Sequence, residues 1–173
     1  MKISIITCTY NSAEFLEKNI LSVSGQTYGN YEHIFIDAFS SDKTVDIIKK
    51  YQEKFPEKIK LFQFKPEGIS KAMNQGALKS SGEYLIHLHS DDSLYDNEVL
   101  SDVKNFLNTN QKPNWIYGQI NVIKDNKNLE FVSLYLTKGA SALKSLSKSK
   151  KLTGGAKKSS KKSSKKSSKK ASK

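Results

Sequence analysis

The chain has no arginine, a single tryptophan and one cysteine, Cys8, in 173 residues. One cysteine excludes an internal disulfide and suits a reducing compartment. No apolar run approaches the roughly 20 residues that span a bilayer. The opening "MKISIITCTY" is interrupted by polar Thr7, Thr9 and Asn11 and carries no signal-cleavage pattern. The expectation is a soluble, cytoplasmic protein without a transmembrane segment. Three chemical signatures are missing too: a cysteine–histidine metal cluster, a catalytic serine elbow and a glycine-rich dinucleotide loop.

Negative charge is absent from the C-terminal part. All 17 acidic residues lie between Glu14 and Glu130. Residues 1–137 hold 15 lysines, leaving a charge of −2, whereas residues 138–173 hold 14 lysines and no acid. The formal +12 of the whole chain therefore describes a near-neutral body with a basic appendage. From Lys157 to Ser168 the tail repeats "KKSS", and nothing after Leu152 supplies apolar surface for a core. Such a segment cannot offset its ordering entropy, so residues 138–173 are expected to be disordered, hinged at "LTGGA". The domain is expected to span residues 1–137. Lysines of this density suit a polyanion, either nucleic acid or an anionic membrane surface, which would make the protein peripheral to that membrane. The tail has no aromatic residue for base stacking, and a solubilising segment with no specific partner fits it equally.

What is present is an alternation of two periodicities. Lys2–Cys8, Tyr31–Asp37, "IKLFQF" and "EYLIHLH" read as strands. Ala13–Ser24 reads as a helix with Phe15, Leu16, Ile20 and Val23 at helical spacing and Ser12 as its N-cap. A second helix starts after Ser41 or Asp42 and ends before Pro56. Helices are also expected over Ile69–Lys79 and Asn97–Leu107, and two more strands in "WIYGQINVI" and "LEFVSLYL". This order predicts an α/β fold with a mostly parallel sheet covered on both faces. Ligands of such sheets bind beyond the carboxyl ends of the strands.

Three of those ends are polar: "TYN", "DAFSSD" and "HSDD". The last places Asp91 beside Asp92, and adjacent carboxylates oppose each other's ionisation. A hard divalent cation would relieve that repulsion through oxygen ligands, with His89 as a third ligand, and it would neutralise charge on a departing phosphate. The plainer alternative makes Asp91 and Ser93 caps of the next helix, with Asp92 facing water. In "KPEGISKAMNQGA" the amides after Gly68 favour an anion, Lys71 adds a point charge and Asn74 an amide. The competing reading is an amphipathic helix whose Gly76 permits close packing. Asp37 is an acceptor for a base or ribose hydroxyl, while Asp42 and Thr44 are better explained as capping residues.

Taken together, "ISIITCTYNSAEFLEKNILSVSGQTYGNYEHIFIDAFSSDKTVDII", "PEGISKAMNQGA" and "SGEYLIHLHSDDSLYDNEVL" resemble family-2 glycosyltransferases over roughly the first 120 residues. The resemblance implies a GT-A (Rossmann-like) three-layer α/β/α sandwich. It implies a sugar transferred with inversion from a nucleotide-sugar donor, usually a uridine diphosphate sugar, with Mn2+ or Mg2+ as cofactor. Thr9, Tyr10, Asn11, Asp37, Gly68, Ile69, Lys71, Ala72, Asn74 and Ser90 are the donor-binding candidates. Asp91, Asp92 and His89 are the metal candidates, with His89 standing where relatives often carry aspartate or asparagine. The family's C-terminal half supplies an acceptor pocket and a general-base aspartate, and no counterpart is assignable here. Asp92 is the weak candidate; Asp125 and Glu130 read as hairpin surface residues. The acceptor class stays open among glycan, lipid-linked and protein acceptors, and a homodimer is allowed. The alternative expectation is a non-catalytic nucleotide-sugar-binding module, a shortened glycosyltransferase with a polyanion-binding tail.

Overall fold

A computed structural model of the chain describes residues 1–110 and 114–116, and the backbone of three later strands, Gln119–Lys124, Lys127–Val132 and Leu136–Lys138. The disorder expected of the tail and the surface placement expected of Asp125 and of the Glu130 side chain lie outside the described residues.

Four strands, β1 (Ile3–Thr9), β2 (Tyr31–Asp37), β3 (Ile59–Gln63) and β4 (Tyr84–His87), pair in parallel in the order β3-β2-β1-β4. They alternate with α1 (Ala13–Ser24), α2 (Thr44–Lys54), α3 (Ile69–Lys79) and α4 (Val99–Thr109). The remaining strands are β5 (Trp115–Ile116), β6 (Gln119–Lys124), β7 (Lys127–Val132) and β8 (Leu136–Lys138). Strand β8 joins β4 antiparallel and β5 joins β8, which completes a six-stranded sheet, while β6 and β7 pair separately. The two long strands expected after α4 are thus divided into β5 with β6 and β7 with β8.

Register decides the two faces. Ile3, Ile5, Tyr31, Phe35, Ile59, Tyr84 and Ile86 point to one face and pack beneath α1, α2 and α4. Ile6, Ile34, Ile36 and Leu85 point to the other, beneath α3. The result is an α/β/α sandwich, in line with the expected fold. Helix α1 buries Leu16, Asn19, Ile20 and Val23, whereas Phe15 is half exposed. An asparagine therefore occupies a place in the buried stripe that apolar spacing alone assigned differently.

Gly76 confirms the packing reading of α3. A Cβ there would lie 2.3 Å from Ile6 Cγ2 and 3.3 Å from Ile36 Cγ1, so only glycine lets α3 approach β1 and β2 this closely. At the amino ends of the strands, the buried Glu32 carboxylate accepts from Lys60 Nζ at 2.7 Å, Lys2 Nζ at 3.2 Å, Ser4 Oγ at 2.6 Å and Ser81 N at 2.6 Å. Burial pushes this carboxyl up, yet those bonds outweigh it and hold the pKa at about 2. Among the described residues no helix is long and apolar enough to cross a membrane.

Candidate functional site

The carboxyl ends of β1, β2 and β3 finish in one row. Thr9 pairs with Asp37 and Asp37 with Gln63. Asp37 is fully buried, and both of its carboxylate oxygens are bonded into this row. Its Oδ1 accepts from Thr9 Oγ1 at 3.0 Å and from Ser40 Oγ; its Oδ2 accepts from Ser40 N at 3.0 Å and Gln63 Nε2 at 3.0 Å. A carboxylate offers about four lone-pair positions, and all are taken. A base or ribose hydroxyl could bond Asp37 only by displacing one of these partners. Asp37 is, in this structure, the brace of the strand ends.

The loops after β1 and β2 are stitched together. Asn11 N donates to Ser40 Oγ at 2.9 Å and Ser41 N to Asn11 Oδ1 at 2.8 Å. Asp42 receives Thr44 N at 2.9 Å and Ala13 N at 3.1 Å, so one carboxylate serves the first residue of both α1 and α2. The pKa of Asp42 is held down, first by the Thr44 side chain and then, against partial desolvation, by these backbone bonds. The N-cap position of α2 is Lys43, so Asp42 serves the helix start from one residue outside it, while Ser12 sits at the N-cap of α1 without a side-chain capping bond. Asn11 (φ 49°) and Phe39 (φ 56°) adopt left-handed backbone conformations, which is costly for a bulky side chain such as Phe39.

These loops and the start of α3 enclose a cavity of about 470 Å3. Of the expected donor-binding residues, Thr9, Tyr10, Asp37, Gly68, Ile69, Lys71 and Ala72 line it; Asn11, Asn74 and Ser90 do not. Gly68 precedes α3 with φ 91°, a conformation that favours glycine, and the first turn of the helix carries no acidic side chain. Its free N–H groups favour an anion in the cavity. Lys71 forms an exposed ion pair with Glu67, so a ligand phosphate would take over an existing anion contact. Cys8, Phe64, Lys65, Glu67 and Gln75 also line the cavity and were not anticipated. The end of β3 carries no polar signature of its own; Phe64 is drawn in because its N–H donates to Asp37 O at 3.0 Å.

Strand β4 ends at His87, two residues earlier than its hydrophobic pattern suggests. Leu88 N still bonds Ile6 O, and then the chain turns, with Asp92 N donating to His89 O at 3.0 Å. Asp91 and Asp92 are exposed, and neither carboxylate takes a hydrogen bond among the described residues. Partial burial and the charge of Asp91 hold the Asp92 carboxyl above the usual carboxylate range, with His89 acting in the opposite sense. Burial, assisted by His89, lowers the pKa of His87, whose Nδ1 is buried and unpartnered. Among the described residues no three His, Cys, Asp or Glu side chains gather as a metal cage, so His89, Asp91 and Asp92 are not assembled as a three-ligand set. Two neighbouring carboxylates with free oxygens nevertheless fit a hard cation that takes its other ligands from water and phosphate, the habit of Mg2+.

Comparison with known proteins places this geometry in context. The model of the family described as "Glycosyl transferase family 2" matches residues 4–164, past the boundary drawn at residue 137. A "PGL/p-HBAD biosynthesis glycosyltransferase" of Mycobacterium bovis is 32% identical over 117 residues, covering 68% of this chain and 46% of that protein. The crystal structure of S. aureus TarS 1–349 in complex with UDP-GlcNAc superposes with a TM-score of 0.66 at 25% identity, over 75% of this chain and 37% of that one. The mannosyltransferase PcManGT from Pyrobaculum calidifontis shares the fold, with a TM-score of 0.68 at 18% identity, over 83% of this chain and 46% of that one. The chain thus spans about half, or less, of the length of the proteins it matches.

Proposed function

The chain belongs to glycosyl transferase family 2, and from that premise we propose that it moves a sugar from a nucleoside-diphosphate sugar, with uridine diphosphate the favoured carrier, to a hydroxyl acceptor with inversion. One observation carries the reading: the cavity at the strand ends has an anion-favouring helix start on one wall and lies beyond the same sheet edge as the Asp91–Asp92 turn. The related TarS complex with UDP-GlcNAc supports the choice of carrier.

In this reading the apolar walls at Cys8, Ile36 and Phe64 receive the base, and Asp37 keeps the strand ends rigid behind it. The N–H groups at the start of α3 face the diphosphate, and Lys71 exchanges Glu67 for a phosphate oxygen. Asp91 and Asp92 would hold a divalent cation, Mn2+ or Mg2+, which when bound supplies charge neutralisation for the leaving diphosphate. Rigid donors and charges placed before the reaction need no reorganisation as charge develops on the leaving group. The acceptor hydroxyl attacks the anomeric carbon from the face opposite the departing diphosphate, and its proton goes to a base that the described residues do not supply.

The test is a transfer-and-hydrolysis assay across several nucleotide sugars with Mn2+ and with chelator. Release of UDP from at least one UDP-sugar, faster with Mn2+ and abolished in Asp91→Ala, is the expected result. Tight binding of UDP-sugars without turnover on any acceptor would replace transfer by binding alone; no binding of any nucleotide would remove the reading.

A further inference from the structure

The turn that carries Asp91 and Asp92 closes on its own Asp92 N to His89 O bond, and a side chain from outside it grips both ends. Asn19, in the middle of α1 and 1% exposed, reaches it across the sheet edge. Its amide nitrogen donates to His89 O at 2.8 Å and to Asp92 O at 3.0 Å, spanning the two ends of the turn. Both partners are carbonyl oxygens, so the amide can face them only with its nitrogen, and both of its N–H groups are consumed. Asn19 Oδ1 is left buried without a partner. A buried polar atom with no partner is costly, so the two bonds to the turn must hold the side chain in this orientation. Ser22, further along α1, and Gln26, just past the end of that helix, extend the grip. Ser22 Oγ accepts from Leu94 N at 3.0 Å, and Gln26 Oε1 accepts from Leu100 N at 2.9 Å.

The carboxylates of Asp91 and Asp92 have no hydrogen bonds of their own among the described residues. Their separation is therefore set by the backbone between His89 and Asp92, and that backbone is tied at both ends to one side chain. We propose that Asn19 is a positioning residue that holds the His89–Asp92 turn in the shape able to take a divalent cation, without touching the cation or the donor itself. This rests on the metal role assigned above to Asp91 and Asp92. Residues that orient metal ligands from behind typically change metal affinity about 10- to 100-fold when lost.

The test is metal binding, not turnover. Free Mn2+ is followed by its electron paramagnetic resonance signal during titration of the full chain with and without UDP, alongside UDP affinity measured in chelator. Asn19→Leu should weaken Mn2+ binding in the presence of UDP at least about tenfold, with metal-free UDP affinity unchanged within twofold. Asn19→Ser, which keeps one donor, should fall between. Ile48→Val, a mild core change under α2, serves as the control for general loss of stability and should leave both affinities unchanged. Asn19→Leu, or Asn19→Ser if the leucine variant does not fold, binding Mn2+ as tightly as the unaltered chain would overturn the proposal alone. Equal losses of Mn2+ and metal-free UDP binding would also overturn it, reducing Asn19 to a structural role. An unaltered chain that never takes up Mn2+ with UDP would overturn this proposal and the metal reading beneath it together.

Discussion

Lowering the pH from 7.5 to 5 tests the interior of the sheet through one side chain, His33. It stands in the middle of β2, 1% exposed, packed against the Phe35 ring with centroids 4.1 Å apart. Its Nε2 shares a hydrogen bond with Thr7 Oγ1 at 2.9 Å, and its Nδ1 has no partner. Nothing in this surrounding stabilises a positive charge, and burial lowers the pKa from 6.5 to about 3. The sign follows. The unfolded chain binds a proton below about pH 6.5 that the folded chain refuses, so His33 adds nothing to pH dependence above that value. Stability is lost as the pH falls from about 6.5 toward 3. At pH 5 the difference amounts to roughly 2 kcal/mol from this group. Urea unfolding followed by circular dichroism at pH 7.5 and pH 5 measures it. His33→Gln, which keeps a hydrogen-bonding partner for Thr7 but cannot titrate, should lose most of that dependence, whatever its stability at pH 7.5. His87 leaves a smaller residue of the same sign, because its pKa is also lowered by burial. An undiminished dependence in His33→Gln would refute the reasoning.

Gly76→Ala should destabilise by about 1–2 kcal/mol, the overpacking of Ile6 exceeding alanine's advantage in a helix; combining it with Ile6→Ala should recover at least about 1 kcal/mol relative to additivity. Glu32→Gln should cost about 3 kcal/mol at pH 7 by leaving Lys2 and Lys60 without their buried partner. The stability that Glu32 confers is present above about pH 4.5 and is lost as the pH falls toward 2, so the variant and the unaltered chain should converge in acid. Glu67→Gln should tighten UDP binding by about threefold at low salt by freeing Lys71, with the gain fading as salt screens the exposed charges. Isothermal titration at two salt concentrations decides that case.

Local signals carried much of the architecture. The bounds of β2, α1 and α3 coincide with the expected ones, because in each an apolar period begins and ends at strong punctuation: Gly25 after α1, and Gly68 before α3. Seven of the donor-binding candidates line the cavity at the strand ends. What escaped notice is long-range. Asn19 on the buried face of α1, and Gln26 just beyond its end, bond carbonyls about 70 positions away in sequence, and no local pattern marks an asparagine as a clamp rather than a surface residue. Asp37 was identified by its place after a strand, but the partners that saturate it include Gln63, whose relevance depends on the β2–β3 register. The early end of β4 has the same origin, since its pattern continues to His89 while the Asp92 N to His89 O bond and the Asn19 amide hold that backbone in a turn.

The account stands or falls on the partnership of the two neighbouring carboxylates with a divalent ion and a diphosphate. Calorimetric titration of UDP into the chain, with Mn2+ and with chelator, reads it directly. The account predicts binding at least tenfold tighter with Mn2+, and no difference between the two conditions in Asp91→Ala. Identical UDP affinity with and without Mn2+ in the unaltered chain would contradict it.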